Sequence, residues 1–168
     1  MEMNHYAFIA LGSNLGDSVA ECRLALREIT EIPDTKLVKS SSLFRTEPLL
    51  REGQKEGDLP WFVNAVCKVE TALEAEPFFS LLAGIEKGHG RIRRSVWEPR
   101  RLDLDLVSYG DLVISKPGLR LPHPGVAVRR FVLEPLCEIE PEWLHPELRV
   151  TARSLLNRLD SPLRVERI

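Results

Sequence analysis

A chain of 168 residues, 43% hydrophobic and 29% charged, has the make-up of an ordinary globular protein, long enough to bury about two-thirds of its unfolded surface. Its formal net charge of −2 excludes a general attraction for nucleic acid or for an acidic membrane, so any affinity for phosphate has to be local. Cys22, Cys67 and Cys137 stand far apart with no CxxC pair, which argues against a disulfide framework or a structural zinc site. No apolar run of about 18 residues could span a bilayer, and Met1–His5 is too short and polar for a signal peptide. The expected setting is the cytoplasm, and with no internal repeat the chain reads as one domain over 1–168.

Tyr6–Leu11 is apolar throughout and rich in β-formers, as a central strand should be. Gly12-Ser13-Asn14-Leu15-Gly16 breaks it, and Asp17 or Ser18 can cap a helix carrying Val19, Cys22, Leu26 and Ile29 at helical spacing, up to Pro33. Leu37–Thr46 predicts a second strand and Trp61–Thr71 a third, with Val63, Ala65, Cys67 and Val69 on one face and Asn64, Lys68 and Glu70 on the other. Cys67 therefore reads as a buried small hydrophobe. The polar connection Glu47–Pro60 between them is long enough to be a functional lid or a disordered excursion. Glu76–Lys87 predicts an amphipathic helix burying Phe78, Leu81, Leu82 and Ile85. Leu102–Ser108 is a strand, turned at Tyr109–Leu112 onto a hairpin partner at Val113–Ser115, and Thr151–Leu159 is a capped helix. The order βαββαβ with a tail predicts an α+β, ferredoxin-like sandwich: two helices over one face of an antiparallel sheet, with extra C-terminal helical structure and long loops.

The clearest chemistry lies in Arg100-Arg101-Leu102-Asp103-Leu104-Asp105-Leu106. On a strand, the leucines point one way and Asp103 and Asp105 the other, about 7 Å apart at their Cα atoms. Divalent cations relieve the repulsion of such a pair, and hard oxygen ligands with open water positions suit Mg²⁺. D-x-D alone is more often a solvated strand face, but five arginines stand between Arg91 and Arg101 (Arg91, Arg93, Arg94, Arg100 and Arg101), and guanidinium forks bind phosphate oxygens. His123 is framed by Pro122 and Pro124, and Arg129 precedes Phe131 as a cation and an aromatic for a planar ligand; each alone is weak. The glycines of Gly84–Gly90 do not form a phosphate loop, because no GK[ST] is present and the segment ends a helix instead of opening one.

With these residues placed, the chain closely resembles the 6-hydroxymethyl-7,8-dihydropterin pyrophosphokinase family. The matching pieces run in order: Ala10–Gly16, Ser41–Leu49, Phe62–Ala65, Ile85-Glu86 with Gly90-Arg91, Pro99–Asp105 and Phe131–Leu136. The resemblance implies transfer of the β,γ-diphosphate of ATP to the pterin hydroxymethyl group, releasing AMP, in folate biosynthesis. Asp103 and Asp105 would bind two Mg²⁺ ions. Arg91 and Arg100 would be catalytic, and Glu86, Arg93, Arg100, His123 and Arg129 would bind ATP. Thr46, Pro48, Leu49, Phe62, Asn64, Trp97 and Phe131 would bind the pterin. Glu98 departs from the family, standing where glycine is common, and the stretch between Arg94 and Trp97 is about one residue short. The expected partners are these small molecules, with no nucleic acid, no membrane and a monomeric chain.

Two rivals remain open on the residues alone. An RNA-binding module on the same sandwich would usually carry net positive charge and paired strand aromatics. Another Mg-ATP enzyme would differ in its product, ADP for a simple kinase or pyrophosphate for a nucleotidyltransferase.

Overall fold

The computed structural model describes residues 4–90, 101–160 and 163–168. Strand β1, His5–Ser13, is buried on both sides and lies inside the sheet. It pairs antiparallel with β4, Phe62–Thr71, on one side and with β5, Asp103–Tyr109, on the other. Strands β2, Thr35–Ser40, and β3, Phe44–Thr46, follow one another along the far side of β4, and β8, Val165–Arg167, pairs with β3.

Side-chain alternation divides the interior into two cores. Ala7, Ile9 and Leu11, with Ala65, Cys67 and Val69, face helices α1, Ser18–Thr30, and α2, Ala75–Gly88, whose Ala25, Ile29, Phe78 and Leu82 complete the first core. Asp17 caps α1 by accepting the Ala20 N–H. On the opposite face Phe8, Ala10 and Val66 meet α3, Arg130–Ile139, and α4, Ala152–Arg158, through Val132, Leu133, Leu136 and Leu155. The result is a mixed α+β molecule with helices on both faces of an antiparallel sheet. Cys67 is fully buried as expected, and burial pushes its thiol up to about 12. No helix among the described residues is long and apolar enough to cross a membrane.

Four departures from the sequence expectations have physical causes. The strand expected over Leu37–Thr46 is two strands, because at Ser41 the side-chain hydroxyl accepts the Val66 N–H and interrupts the ladder. The segment after β5 does not fold back on it: β6, Ile114–Lys116, pairs with β7, Leu119–Leu121, in a separate ribbon. Pro117-Gly118 makes that turn, with Gly118 at φ 84°, as a Pro-Gly pair favours. Helix α3 goes unpredicted because Pro135 lies within it, although Val132, Leu133 and Leu136 keep helical spacing. Finally, β8 is set by its partner β3 and not by any local pattern.

A β-bulge decides how β5 ends. Phe8 pairs with Ser108 and Ile9 with Leu106, so Val107 is the extra residue. Past it Tyr109, not Ser108, faces the first core, while Ser108 Oγ accepts from Trp143 Nε1 at 3.1 Å. The Val107 carbonyl accepts the His123 N–H at 2.8 Å, which ties the Leu121–Gly125 loop to the strand carrying the carboxylates.

His89, at the end of α2, is buried between two carboxylates of α1: Nδ1 meets Glu21, and Nε2 lies 2.8 Å from Glu28 Oε1. Burial alone would lower the imidazole from 6.5, but the hydrogen-bonded Glu21 and Glu28 outweigh it and the net direction is upward. A folded-state pKa above the unfolded value gives stability that is fully present below about 6.5 and is lost as pH rises through the raised value. Stability should therefore fall as pH rises above about 6.5. Urea unfolding of wild type and His89→Gln across that range checks this. A difference between the two that does not change with pH would remove the clamp's charge from the account.

Candidate functional site

Strand β5 ends the sheet, and its open edge is covered by α2: Glu86, buried in the last turn of that helix, accepts the Leu104 N–H at 2.9 Å. Leu102, Leu104 and Leu106 anchor the strand in the first core. Asp103 and Asp105 consequently project from the opposite face, beside their register partners Gly12 and Ala10. Both carboxylates are partly exposed, as charged side chains on a solvent-reached face should be.

Beside Asp105 stand His123 and Arg129. His123 Nε2 is 3.8 Å from Oδ1, and Arg129 Nη1 is 3.9 Å from Oδ2. The Gly125 N–H donates to His123 Nδ1 at 3.0 Å, so the ring's proton sits on Nε2, toward Asp105. Burial pushes His123 below its usual range, Asp105 acts to raise it, and Arg129 adds to the lowering. The Arg129 guanidinium lies 5.8 Å from the Phe131 ring and packs over Gly125, where a Cβ would fall 2.5 Å from Arg129 Nε.

Two cavities meet at Asp105. The first, of about 320 Å³, has apolar walls from Leu49, Phe62, Phe131, Val132 and Leu163, with Thr46, Glu47, Asn64, Asp103, Asp105 and Arg129 as its polar groups. Its floor is preset: Thr46 Oγ1 donates to Asn64 Oδ1 at 2.8 Å, both residues being buried, so the Asn64 amide is held in one orientation. Gly12 leaves that amide room, since a Cβ there would lie 3.0 Å from Nδ2. The second cavity, of about 420 Å³, is bordered by Phe79, Glu86, Leu104, Lys116, Arg120 and His123. Asp105 borders both.

The arrangement can hold a flat, amide-edged ring in the first cavity and an anionic ligand in the second. Among the described residues no three His, Cys, Asp or Glu side chains cluster to hold a metal by themselves. Two carboxylates on one strand face are a partial, hard-oxygen donor set. That suits a cation that keeps water and takes oxygen ligands from a bound phosphate, which is the habit of Mg²⁺.

Most of the expected site residues converge here. Thr46, Leu49, Phe62, Asn64, Asp103, Asp105, Arg129 and Phe131 line the first cavity, and Glu86 and His123 the second. Arg129, expected among the ATP-binding residues, lines the first. Pro48 is turned into a neighbouring cleft with Trp61 and Arg164. Arg91, Arg93, Trp97 and Arg100, with Glu98, lie outside the described residues. Sequence reasoning missed Glu47, Arg120, Val132 and Leu163. Glu47 and Val132 stand inside the matched motifs and could have been found there, but Leu163 arrives only through the pairing of β8 with β3.

Residues 8–141 match the profile of the 7,8-dihydro-6-hydroxymethylpterin-pyrophosphokinase (HPPK) family. The chain is 38% identical over 144 residues to a 2-amino-4-hydroxy-6-hydroxymethyldihydropteridine pyrophosphokinase of Haemophilus influenzae, covering 86% of this chain and 87% of that protein. It is 34% identical over 158 residues to a folic acid synthesis protein of Schizosaccharomyces pombe, 94% of this chain but only 21% of the relative, so it spans about a fifth of that longer protein. Among solved structures, a triple mutant of Plasmodium falciparum HPPK-DHPS superimposes with a TM-score of 0.73 at 15% identity, over 94% of this chain and 44% of that one. That likeness concerns the fold.

Proposed function

We propose a diphosphate transfer from ATP to a reduced pterin, on the premise that this chain belongs to the 7,8-dihydro-6-hydroxymethylpterin-pyrophosphokinase family. ATP and 6-hydroxymethyl-7,8-dihydropterin would give AMP and the pterin diphosphate, a step of folate biosynthesis. One observation carries the reading: Asp105 borders both cavities, so an acceptor in the first and a triphosphate in the second would meet at the carboxylate pair.

The pterin ring would lie between the apolar walls of Phe62 and Phe131, its amide-like edge against Asn64. Its hydroxymethyl oxygen attacks the β-phosphorus in line. The new O–P bond forms as the bond between the β-phosphorus and the oxygen bridging it to the α-phosphate breaks, AMP leaves with that electron pair, and the hydroxyl proton passes to solvent water. Asp103 and Asp105 would hold two Mg²⁺ ions, which when bound neutralise the charge of the phosphates. His123, with its proton on Nε2, and Arg129 would offer donors to the phosphate oxygens, while Glu86 holds β5 in register through Leu104. Positioning and charge neutralisation supply the rate in phosphoryl transfer of this kind. Arg91, Arg93, Trp97 and Arg100 belong to this reading by resemblance.

The path β1–α1–β2/β3–β4–α2–β5, with β4 and β5 flanking β1, supports a ferredoxin-like sandwich and one domain over 1–168. A monomeric chain belongs to the same proposal, and three free cysteines suit the reducing cytoplasm.

Incubating the protein with ATP, Mg²⁺ and 6-hydroxymethyl-7,8-dihydropterin and identifying the nucleotide product tests the reaction. AMP is expected. Formation of ADP or free pyrophosphate, or no pterin-dependent turnover, would overturn it.

A further inference from the structure

Arg164, one residue before β8, touches the beginning, the middle and the end of the Glu47–Pro60 connection. At its start, the Glu47 N–H donates to the Arg164 carbonyl at 3.0 Å, and the Arg164 N–H donates back to Glu47 Oε1 at 3.2 Å. The guanidinium then reaches Glu47 Oε2 with Nε at 3.4 Å and Glu56 Oε1 with Nη2 at 3.6 Å. Its carbon lies 5.1 Å from the ring of Trp61, just past the end of the connection. Arg45 lies over the same indole at 4.9 Å and pairs with Glu166 at 2.7 Å. The residue leading into the last strand is thus bound to Glu47 and Glu56 of the connection and to Trp61 just beyond it.

Among the described residues, the backbone bonds within the connection are two local turns, in which the Gln54 N–H donates to the Arg51 carbonyl and the Asp58 N–H to the Lys55 carbonyl. The connection supplies Leu49 to the first cavity and follows directly on Glu47, while Leu163, the neighbour of Arg164, lines the same wall. Exposed ion pairs contribute little one at a time. Here several polar contacts and a stacked ring converge on one side chain, and the backbone exchange with Glu47 orients it.

We propose that Arg164 is a positioning residue for the acceptor substrate: the C-terminal segment straps the 47–60 connection against the first cavity, so that the pterin meets a wall already ordered. The identity of that ligand rests on the proposed function. Ordering the wall in advance lowers the cost of binding the acceptor without touching the nucleotide site.

Arg164→Ala should raise the KM and Kd for 6-hydroxymethyl-7,8-dihydropterin about five- to tenfold, with KM for ATP and kcat staying within about twofold. Trypsin can cut after Arg51 and Lys55 inside the connection, and in the ligand-free variant cleavage at these sites should be several-fold faster. Arg153→Ala, which removes the exposed Arg153–Glu142 pair, should leave that cleavage unchanged. Unaltered cleavage in Arg164→Ala, or equal rises in KM for pterin and ATP, would overturn the strap. If wild type fails to turn over the pterin, the reaction assignment falls, while the cleavage comparison still decides whether Arg164 holds the connection.

Discussion

Alanine at Asp103 or at Asp105 is expected to lower pterin-dependent AMP formation by about a thousandfold or more, the scale seen when a group that stabilises transition-state charge is removed. The expectation follows from their placement. The two carboxylates share one face of β5, and Asp105 borders both cavities. No third carboxylate, histidine or cysteine clusters with them among the described residues to take over metal binding. The fold should survive. The contacts of Asp105 with His123 and Arg129 are 3.8 and 3.9 Å long and partly exposed, so their loss should cost less than about 1 kcal/mol. Turnover and thermal unfolding measured on the same preparations separate the two effects. Wild-type turnover in either variant would mean that the pair does not carry the reaction.

The second large effect concerns the floor of the first cavity. Asn64→Ala should reduce kcat/KM for the pterin about a hundredfold, because a site built to hydrogen-bond one edge of a ring loses most when that partner goes. KM for ATP should move by less than about threefold, since Asn64 faces the first cavity alone. Stability should also drop by about 1–2 kcal/mol as the Thr46 hydroxyl loses its buried acceptor. Gly12→Ala tests the same amide from the other side: its methyl would stand 3.0 Å from Nδ2 and push the side chain off its position. A drop of about tenfold is expected there, again in the pterin term. Steady-state kinetics with each substrate varied in turn provide the check, and equal losses for pterin and ATP would contradict the assignment of the two cavities.

The central part of the fold was legible in the residues. Tyr6–Leu11 is a strand because a continuous apolar run is buried on both faces, Phe62–Thr71 because its core face alternates, and α1 and α2 carry their apolar stripe at helical spacing. The facing of Asp103 and Asp105 away from three core leucines is also local, since a strand has period two whatever surrounds it. The missed pieces depend on partners. Pro135 hides α3 from a rule about isolated helices, yet Val132, Leu133 and Leu136 bury enough apolar surface against β1 and β4 to hold it. Pro117-Gly118, not Tyr109–Leu112, makes the hairpin, which moves residues 114–116 off the main sheet.

The sequence by itself thus determined the strand and helix periods, the side on which the carboxylates stand and, through ordered motifs, the family. Only the tertiary structure decided that Asn64 is oriented by Thr46, that Asp105 borders two cavities and that Arg164 meets Glu47 beside the first of them. These are contacts between residues 18 to 117 positions apart in the chain. Local propensity acts over a turn or a strand and carries no information about which distant surface will arrive; that is settled by how the two faces of one sheet bury their apolar side chains.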